Sequence, residues 1–344
     1  MKPIKLILIS FFLLAINACK HDDLEVYQEN KNYRNAADFV KNNYDLSLFY
    51  AALQQADLVE TLKGEGPFTL FAPNDAAFND LGITKPADFA KMNKDSLKLL
   101  MKYHVLPRRL YLDDVPKGTV DNRYDNLAGK RSYLALFSRN GTSRMYVNGA
   151  MAGPVDVVLA NGVLQVLNKV IKYREGTVAD VLTNRPQYSI FVAGLKHFGY
   201  WEQLKEKGPW TVLAPDNDAF AAANITLETI KAMKPEEYKK RLFGVYIFRN
   251  HFFKSDFAVM GEKGSGYYSN SGAHLRVPVQ GDEEFCSGVG SNELVFVANT
   301  FPLEESTPKR ITTFGEGYKL DDMSDNGMVH NIKTLLVLPQ EAKK

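Results

Sequence analysis

The chain is built around a stretch that it contains twice, as FTLFAPNDAAF from Phe68 to Phe78 and as WTVLAPDNDAF from Trp210 to Phe220. In both copies a short run of apolar, β-prone residues predicts a buried strand. The proline after the run cannot continue a sheet ladder, and its fixed φ suits the entry to a helix. Each copy is therefore predicted to form a buried strand that leads directly into a helix.

The polar residues after the first proline predict a helix cap. Asn74 and Asp75 carry oxygens that can accept hydrogen bonds from the free N–H groups of a first helical turn, where the helix dipole is positive. Because such residues usually cap an apolar helix, we favour capping over a catalytic role.

The repeat extends well beyond these two stretches. With an offset of 142 positions, Asp38–Phe78 aligns with Asp180–Phe220 without a gap, and 16 of the 41 pairs are identical. Ordinary composition would give roughly two or three identical pairs, so the chain contains a duplication. In both copies apolar residues fall at helical spacing ahead of a Gly-Pro turn, which predicts helices around 48–56 and 190–198.

Later segments complete each copy. Further helices are predicted at Asp95–Tyr103 and Pro235–Phe248, and strands at Ser132–Phe137, Met145–Val147 and Val155–Leu159. Each copy closes with Asn-Gly and alternating apolar residues, at Asn161–Ile171 and at Asn326–Leu336, which is typical of a hairpin turn entering a strand. The offset is now 165, so the second copy carries a net insertion of 23 residues, placed around 299–325.

Composition sets the broad class of protein. The length of 344 residues favours two domains, and 45% hydrophobic residues can supply a core for each. With 42 basic and 40 acidic side chains the net charge is +2, which gives no basis for nucleic-acid binding. Of the two cysteines, Cys19 lies at the predicted signal-peptide cleavage site, and Cys286 is expected to be a small buried or half-buried residue.

The first residues predict export and lipid anchoring. Residues 1–18 have the basic start and the short apolar run of a signal peptide. The run ends at Ile16–Cys19, which resembles the lipobox of bacterial lipoproteins, so Cys19 is the predicted lipidation site. Lys20–Asp23 resembles the surface-export signal of Bacteroidota lipoproteins, and residues 19–34 are predicted to be a polar tether.

Three stretches of the first copy resemble a known family. Phe68–Phe78, YHVLP from Tyr103 to Pro107, and Asn161–Ile171 resemble the signature stretches of fasciclin-like domains, in order and spacing. The resemblance covers Ala36–Pro339. It implies an α+β fold with two tandem domains, at 35–173 and 174–340, each a β-sandwich wedge flanked by helices. It also implies adhesion or matrix binding, without enzymatic activity or a cofactor.

The resemblance points to one candidate binding stretch. In animal relatives the residues around the Tyr-His pair have been linked to receptor binding, which would carry over to Tyr103 and His104. Core packing with a satisfied ring hydrogen bond is the alternative that we favour. The second copy departs from the pattern, with Tyr246 at the position of the histidine. In the closing strand the family's common histidine is Gln165 in the first copy and His330 in the second.

Motifs for chemistry are missing from the sequence. No nucleophile elbow, zinc-binding helix or phosphate-binding glycine loop occurs. Asp322–Gly327 matches the opening of a calcium loop, but the twelfth position is Lys333 where a glutamate is needed. Asn326 and Gly327 also belong to the closing hairpin. No metal site is therefore predicted.

We weigh three functions. The first is a lipid-anchored outer-membrane protein at the cell surface that binds an extracellular glycan, matrix component or protein; a periplasm-facing position is the alternative location. The second is an accessory subunit of an outer-membrane glycan-uptake transporter. The third is a structural spacer in the envelope. For the second, exposed aromatic residues would stack on sugar rings, and the candidates are Tyr267, Tyr268, Phe314 and Tyr318, although packing within their own loops is the favoured alternative.

Overall fold

Each repeat is organised around a pair of parallel strands. In the computed structural model, β1 (Phe68–Pro73) pairs along its whole length with β8 (Gly162–Leu167). In the second repeat β9 (Trp210–Pro215) pairs in the same way with β16 (Gly327–Ile332). Every residue of β1 and β9 is buried, as expected for strands that are covered on both faces.

The structure describes residues 33–139, 141–260, 274–279, 282–290, 295–300, 309–312 and 321–344. Residues 34–344 form one compact unit that contains both repeats.

The first repeat combines helices with two four-stranded sheets of order β2-β1-β8-β7 and β3-β4-β5-β6. Its helices are α1 (Ala36–Lys41), α2 (Ser47–Gln55), α3 (Val59–Lys63), α4 (Asp75–Asn79) and α5 (Lys94–Tyr103). Its remaining strands are β2 (Val105–Leu106), β3 (Thr119–Asp125), β4 (Arg131–Arg139), β5 (Thr142–Val147), β6 (Ala150–Met151) and β7 (Val157–Leu159). The three strands and the helices predicted for this copy are thereby confirmed.

The first sheet of this repeat separates two hydrophobic cores. On one face Leu70 and Leu164 pack with helical residues such as Phe49 and Leu53. On the other face Phe71 packs with residues of the second sheet, including Leu134 and Met145. The layers are therefore helices, sheet and sheet, which is the α+β arrangement that the sequence predicts.

The second repeat follows the same order. Its helices are α6 (Val178–Thr183), α7 (Ser189–His197), α8 (Asn217–Ala222), α9 (Leu227–Ala232), α10 (Arg241–Gly244) and α11 (Lys254–Met260). Its other strands are β10 (Ile247–Arg249), β11 (His274–Val279), β12 (Asp282–Gly290), β13 (Val295–Thr300), β14 (Lys309–Thr312) and β15 (Asp322–Ser324), in sheets of order β10-β9-β16-β15 and β11-β12-β13-β14. The insertion predicted around 299–325 falls largely outside the described residues and stays a prediction.

One predicted helix of the second repeat is wrong as a single element. Residues 235–248 contain a 3-10 turn at Pro235–Glu237, the short helix α10 and the start of strand β10. Tyr238 is extended, with φ −119° and ψ 147°, and forms a β-bridge with Lys343. Pairing with the chain end therefore interrupts a segment whose local pattern is helical.

The capping prediction is confirmed for Asn74 and corrected for Asp75. Asn74 accepts a hydrogen bond from the N–H of Ala77 and caps α4. Asp75 instead reaches the start of α2, where its carboxylate accepts from the N–H of Leu48 at 2.8 Å and from the hydroxyl of Ser47 at 2.5 Å. Asn74 thus caps α4, and Asp75 holds the start of α2 against it.

An asparagine in each closing turn joins several parts of its repeat, and the one in the first repeat, Asn161, is buried. The side-chain oxygen of Asn161 accepts from the N–H of Ala36, the first residue of α1, at 2.8 Å. Its amide nitrogen donates to the carbonyls of Leu62 and Gly64 at the end of α3, and its main-chain carbonyl accepts from the N–H of Phe68. These bonds satisfy an otherwise unpaired N–H of a helix start and fix α1 and α3 beside β1.

The second repeat makes the same bonds. The side chain of Asn326 accepts from the N–H of Val178 at 2.8 Å and donates to the carbonyls of Leu204 and Glu206. The predicted hairpins are both present. Their glycines allow the two parallel strands to lie close together, since a Cβ at Gly162 would lie 2.1 Å from the carbonyl oxygen of Phe68. The Asn-Gly pair thus brings the two parallel strands together.

We expect Asn161→Ala to lower the free energy of unfolding by about 3 kcal/mol, because it leaves one N–H and two carbonyl groups without their partner. Urea unfolding measures the change. The exposed helical residue Asn79, changed to alanine, is the control and should have little effect. Equal effects of the two substitutions would contradict the role given to Asn161.

Candidate functional site

Tyr103, the first of the two candidate binding residues, is a core residue at the end of α5. Its side chain is fully buried. The hydroxyl donates to the carbonyl of Arg131 at 2.7 Å and accepts from the side-chain amide of Asn148 at 3.0 Å. Its ring stacks on Tyr173, with centroids 4.9 Å apart, and burial raises the pKa of the hydroxyl. A direct contact with a ligand would require the core to open.

His104 is equally buried, and both of its ring nitrogens have partners. Nδ1 lies 2.8 Å from the carbonyl of Leu100 and so carries the proton, while Nε2 accepts from the N–H of Ile171 at 3.0 Å. Burial lowers the pKa of His104 to about 4. The imidazole is therefore neutral at pH 7 and holds the end of α5 against the segment after β8. A binding role for Tyr103 and His104 stays a prediction.

The second repeat replaces this histidine with a tyrosine that makes the same bond. Tyr246 is buried, and its hydroxyl accepts from the N–H of Leu336 at 2.9 Å. Leu336 occupies the position that Ile171 has in the first repeat, 165 residues earlier. The divergence that the sequence shows here therefore preserves a hydrogen-bond acceptor at one place in the fold.

The other divergent pair, Gln165 and His330, also makes equivalent bonds. In the first repeat the side chain of Gln165 donates to the carbonyl of Leu110 at 3.0 Å and accepts from the N–H of Asp156 at 2.8 Å. Asp156 has a positive φ of 57°, and its carboxylate accepts from the N–H of Leu112 at 2.9 Å.

In the second repeat His330 bridges the same two backbone groups. Its Nε2 lies 2.7 Å from the carbonyl of Phe252, and its Nδ1 accepts from the N–H of Asp321 at 3.1 Å. Asp321 has a φ of 56°, and its carboxylate accepts from the N–H of Lys254 at 2.8 Å. The histidine is thus explained by a structural bridge in a bend that both repeats contain.

Sequence reasoning missed the contacts between the repeats. Tyr173, beside Tyr103, donates its hydroxyl to the carboxylate of Asp325, which also accepts from the Nζ of Lys130 at 2.7 Å. Burial alone would raise the pKa of Asp325, but the hydrogen bonds from Lys130, Tyr173 and the N–H of Gly176 lower it. Asp325 lies in the stretch that resembles a calcium loop, but its carboxylate already accepts hydrogen bonds from Lys130, Tyr173 and the N–H of Gly176.

A shared hydrophobic cluster also joins the repeats. Phe253 and Met323 of the second repeat pack with Leu134 and Val147 of the first. His251 lies beside them with its ring centroid 4.2 Å from that of Tyr133, and burial lowers its pKa to about 4. Such long-range contacts have no local pattern in the sequence that could predict them.

The other candidate residues cannot be placed. Cys19, Tyr267, Tyr268, Phe314 and Tyr318 lie outside the described residues, so their predicted roles stay predictions. Among the residues that are described, no three His, Cys, Asp or Glu side chains come together as metal ligands could. Within the same residues, no helix combines the length and apolar character of a membrane span.

Comparison with known proteins identifies the family. The family model described as the fasciclin domain matches residues 44–173 and 186–339. The chain belongs to this family and carries two tandem copies of its domain. The domain boundaries predicted at 35–173 and 174–340 stay predictions.

Individual relatives match at moderate identity. The chain is 30% identical to human periostin over 194 residues, which cover 56% of this chain and 22% of periostin. It is 38% identical over 130 residues to protein sll1483 of Synechocystis, covering 38% of this chain and 68% of that protein. It is 27% identical over 301 residues to pig transforming growth factor-beta-induced protein ig-h3, covering 86% of this chain and 36% of ig-h3. The chain thus spans a minor part of periostin and ig-h3.

Among solved structures, the chain is similar to a FAS1 domain pair from the insect cell adhesion molecule fasciclin I. The sequence identity is 15% and the TM-score 0.37, with 87% of this chain and 98% of the other covered.

We expect His330→Gln to be tolerated, with a loss of less than about 1 kcal/mol, because Gln165 makes the same bridge in the first repeat. His330→Ala should cost about 3 kcal/mol, since it leaves the carbonyl of Phe252 and the N–H of Asp321 unpaired. Urea unfolding of the two variants separates these outcomes. Equal losses would show that the bridge does not stabilise the bend.

The free energy of unfolding should fall in acid because of His104. Its pKa of about 4 in the folded chain lies below the ordinary value of 6.5, so protonation favours the unfolded chain. The contribution of the neutral ring is complete above about pH 6.5 and is lost as the pH falls towards 4, by on the order of 3 kcal/mol.

His104→Gln should reduce the slope of this dependence when urea unfolding is measured between pH 7 and pH 4.5, and His251, whose pKa burial also lowers to about 4, keeps part of the slope. Asn161→Ala, which removes a buried side chain that bonds only to backbone groups, should lower stability equally at every pH. An unchanged slope in His104→Gln would refute the assignment.

Proposed function

We propose that this chain is a non-enzymatic adhesion and binding protein of the cell envelope, anchored through a lipid on Cys19 and exposed at the outer surface. It would recognise an extracellular glycan, matrix component or protein. The observation that carries the proposal is the pair of fasciclin matches over residues 44–173 and 186–339. Fasciclin domains occur in cell-adhesion and extracellular matrix-binding proteins.

The burial of the distinctive polar side chains argues against a catalytic role for them. Four of these side chains are buried, and each is hydrogen-bonded to a backbone group of the fold. They are Tyr103, His104, Tyr246 and His330. A general acid or base must instead reach a substrate atom within hydrogen-bond distance. These groups therefore contribute to the stability of the scaffold.

The anchoring part of the proposal rests on the sequence. A short apolar run followed by Cys19 supports export and lipid attachment. Two or three acyl chains would hold the protein durably at a membrane, since each buried methylene contributes about 0.8 kcal/mol. The polar residues after Cys19 would hold the domain pair away from the lipid.

We expect intact cells that express the wild-type chain to lose it to added protease and to attach to at least one member of a panel of immobilised matrix proteins and polysaccharides. Cells with equal amounts of Cys19→Ala should retain the chain and should not attach, because the anchor is missing. Protease shaving followed by immunoblotting, together with counts of attached cells, measures both effects.

Two outcomes would contradict this proposal. Protection of the wild-type chain from protease would place it on the periplasmic side. Equal attachment by wild-type and Cys19→Ala cells would show that the chain is not the adhesive component.

A further inference from the structure

His251 is buried where the two repeats meet, just ahead of α11. Its side chain belongs to the second repeat, and its ring centroid is 4.2 Å from that of Tyr133 on β4 of the first repeat. The helix that follows, α11, also packs against β3 and β4. Residues 251–260 of the second repeat therefore lie against a sheet of the first.

Neither ring nitrogen of His251 has a hydrogen-bond partner among the described residues. His104 and His330 are also buried, but both ring nitrogens of each have partners. A neutral imidazole carries one donor and one acceptor, and leaving them unpaired in a buried site is unfavourable. Packing on Tyr133, and not hydrogen bonding, therefore holds the ring of His251 in place.

The charges of the first repeat do not offset a positive charge on His251. Asp121 favours the protonated ring and Arg123 opposes it, and these two side chains are paired with each other, with Nε 3.1 Å from Oδ1. Tyr133 is neutral, because burial raises the pKa of its hydroxyl. Burial accordingly lowers the pKa of His251 from its ordinary value of 6.5 to about 4.

A second titratable group is buried in the same segment. Asp256, in the first turn of α11, is 2% exposed, and its carboxylate accepts from the N–H of Phe253 at 2.9 Å. Burial raises the pKa of Asp256 well above its ordinary value, and the nearby carboxylates of Asp321 and Asp121 raise it further. Lys254, the described cation of α11, is exposed. An ionised Asp256 would thus be a buried charge without a counter-charge among the described side chains, which is costly.

The contacts of Asp325 hold the repeats together elsewhere and are insensitive to pH near neutrality. Its carboxylate accepts from Lys130 and Tyr173 of the first repeat and the linker. Burial opposes the ionised form, but the hydrogen bonds keep the pKa of Asp325 below its ordinary value of 3.8. Asp325 therefore stays ionised and paired at pH 5 and above.

The helix α11 is short enough to depend on its packing. It contains seven residues, from Lys254 to Met260. A helix of this length is marginal in water on its own. The amides of α11 are therefore protected from exchange with solvent chiefly while the helix lies against β3 and β4.

We propose that residues 251–260 form a pH-sensitive latch, which holds α11 against the first repeat only while His251 and Asp256 are both uncharged. A charge on either group draws it into water, and α11 then separates from β3 and β4. The contacts of Asp325 keep the repeats attached, so the opening is local. The inference goes beyond the proposed adhesion function and does not depend on it.

The two groups respond to pH in opposite directions. Because the packed form lowers the pKa of His251, this residue favours separation as the pH falls from 6.5 towards 4. Because the packed form raises the pKa of Asp256, this residue favours separation as the pH rises above 3.8. The two effects offset each other in mild acid. Above about pH 6.5 only the effect of Asp256 remains, so the latch loosens as the pH rises past neutral.

The experiment measures amide hydrogen exchange of residues 254–260 by mass spectrometry, in the full chain at pH 5 and pH 7. His251→Phe keeps an aromatic ring against Tyr133, loses no hydrogen bond to a described residue and cannot take up a proton. Asp256→Asn keeps an acceptor for the N–H of Phe253 and cannot ionise. The control is His197→Gln, at an exposed position in α7 outside the latch. Each variant is compared with the wild type at the same pH, where the intrinsic exchange rates are equal.

We expect opposite trends in the two latch variants. The protection of α11 in His251→Phe relative to the wild type should be about 20-fold higher at pH 5 than at pH 7. In Asp256→Asn the relative protection should instead be higher at pH 7 than at pH 5, by at least about tenfold. His197→Gln should show the same relative protection at both pH values.

Three outcomes would overturn the proposal. The first is relative protection that does not change with pH in the two latch variants, and the second is the same trend in both. The third is equal protection of α11 and of the buried strand β9 in the wild type, since α11 would then open only when the whole repeat unfolds.

Discussion

The hydrogen bonds of the asparagine in the closing turn are the constraint on which each repeat depends. Asn161 contacts the first N–H of α1, two carbonyls at the end of α3 and the first N–H of β1. These groups come from segments that are far apart in the chain and that local propensity cannot bring together. Once the turn is in place, β8 runs parallel to β1, and the helices and the second sheet cover the two faces of the resulting sheet.

The two repeats preserve hydrogen bonds more closely than they preserve residues. Gln165 and His330 bridge the same carbonyl and N–H, and His104 and Tyr246 supply the same acceptor. In a buried site an unpaired backbone group is costly, so any side chain that reaches both partners is acceptable there. A histidine that one repeat has and the other lacks is therefore explained by the fold before any function is assigned to it.

The parts of the structure that local sequence determines could be predicted. These parts are the strand that ends at Pro73, the cap at Asn74 and the Asn-Gly hairpins. The residues that determine each of them lie within a few positions of one another. The segment 235–248 was mispredicted because Tyr238 pairs with Lys343 at the far end of the chain. The contacts of Tyr173 with Lys130 and Asp325 were missed for the same reason, since they join residues of different repeats.

The most direct test of this account is amide hydrogen exchange at Ala36 and Val178 in the Asn161→Ala variant. The two amides occupy equivalent helix starts, and each donates to the asparagine of its own repeat at 2.8 Å. The account predicts that Ala36 loses most of its protection, by a factor of about 100 for about 3 kcal/mol, while Val178 keeps its own. Retained protection at Ala36 would show that the closing-turn asparagine does not hold the repeat together.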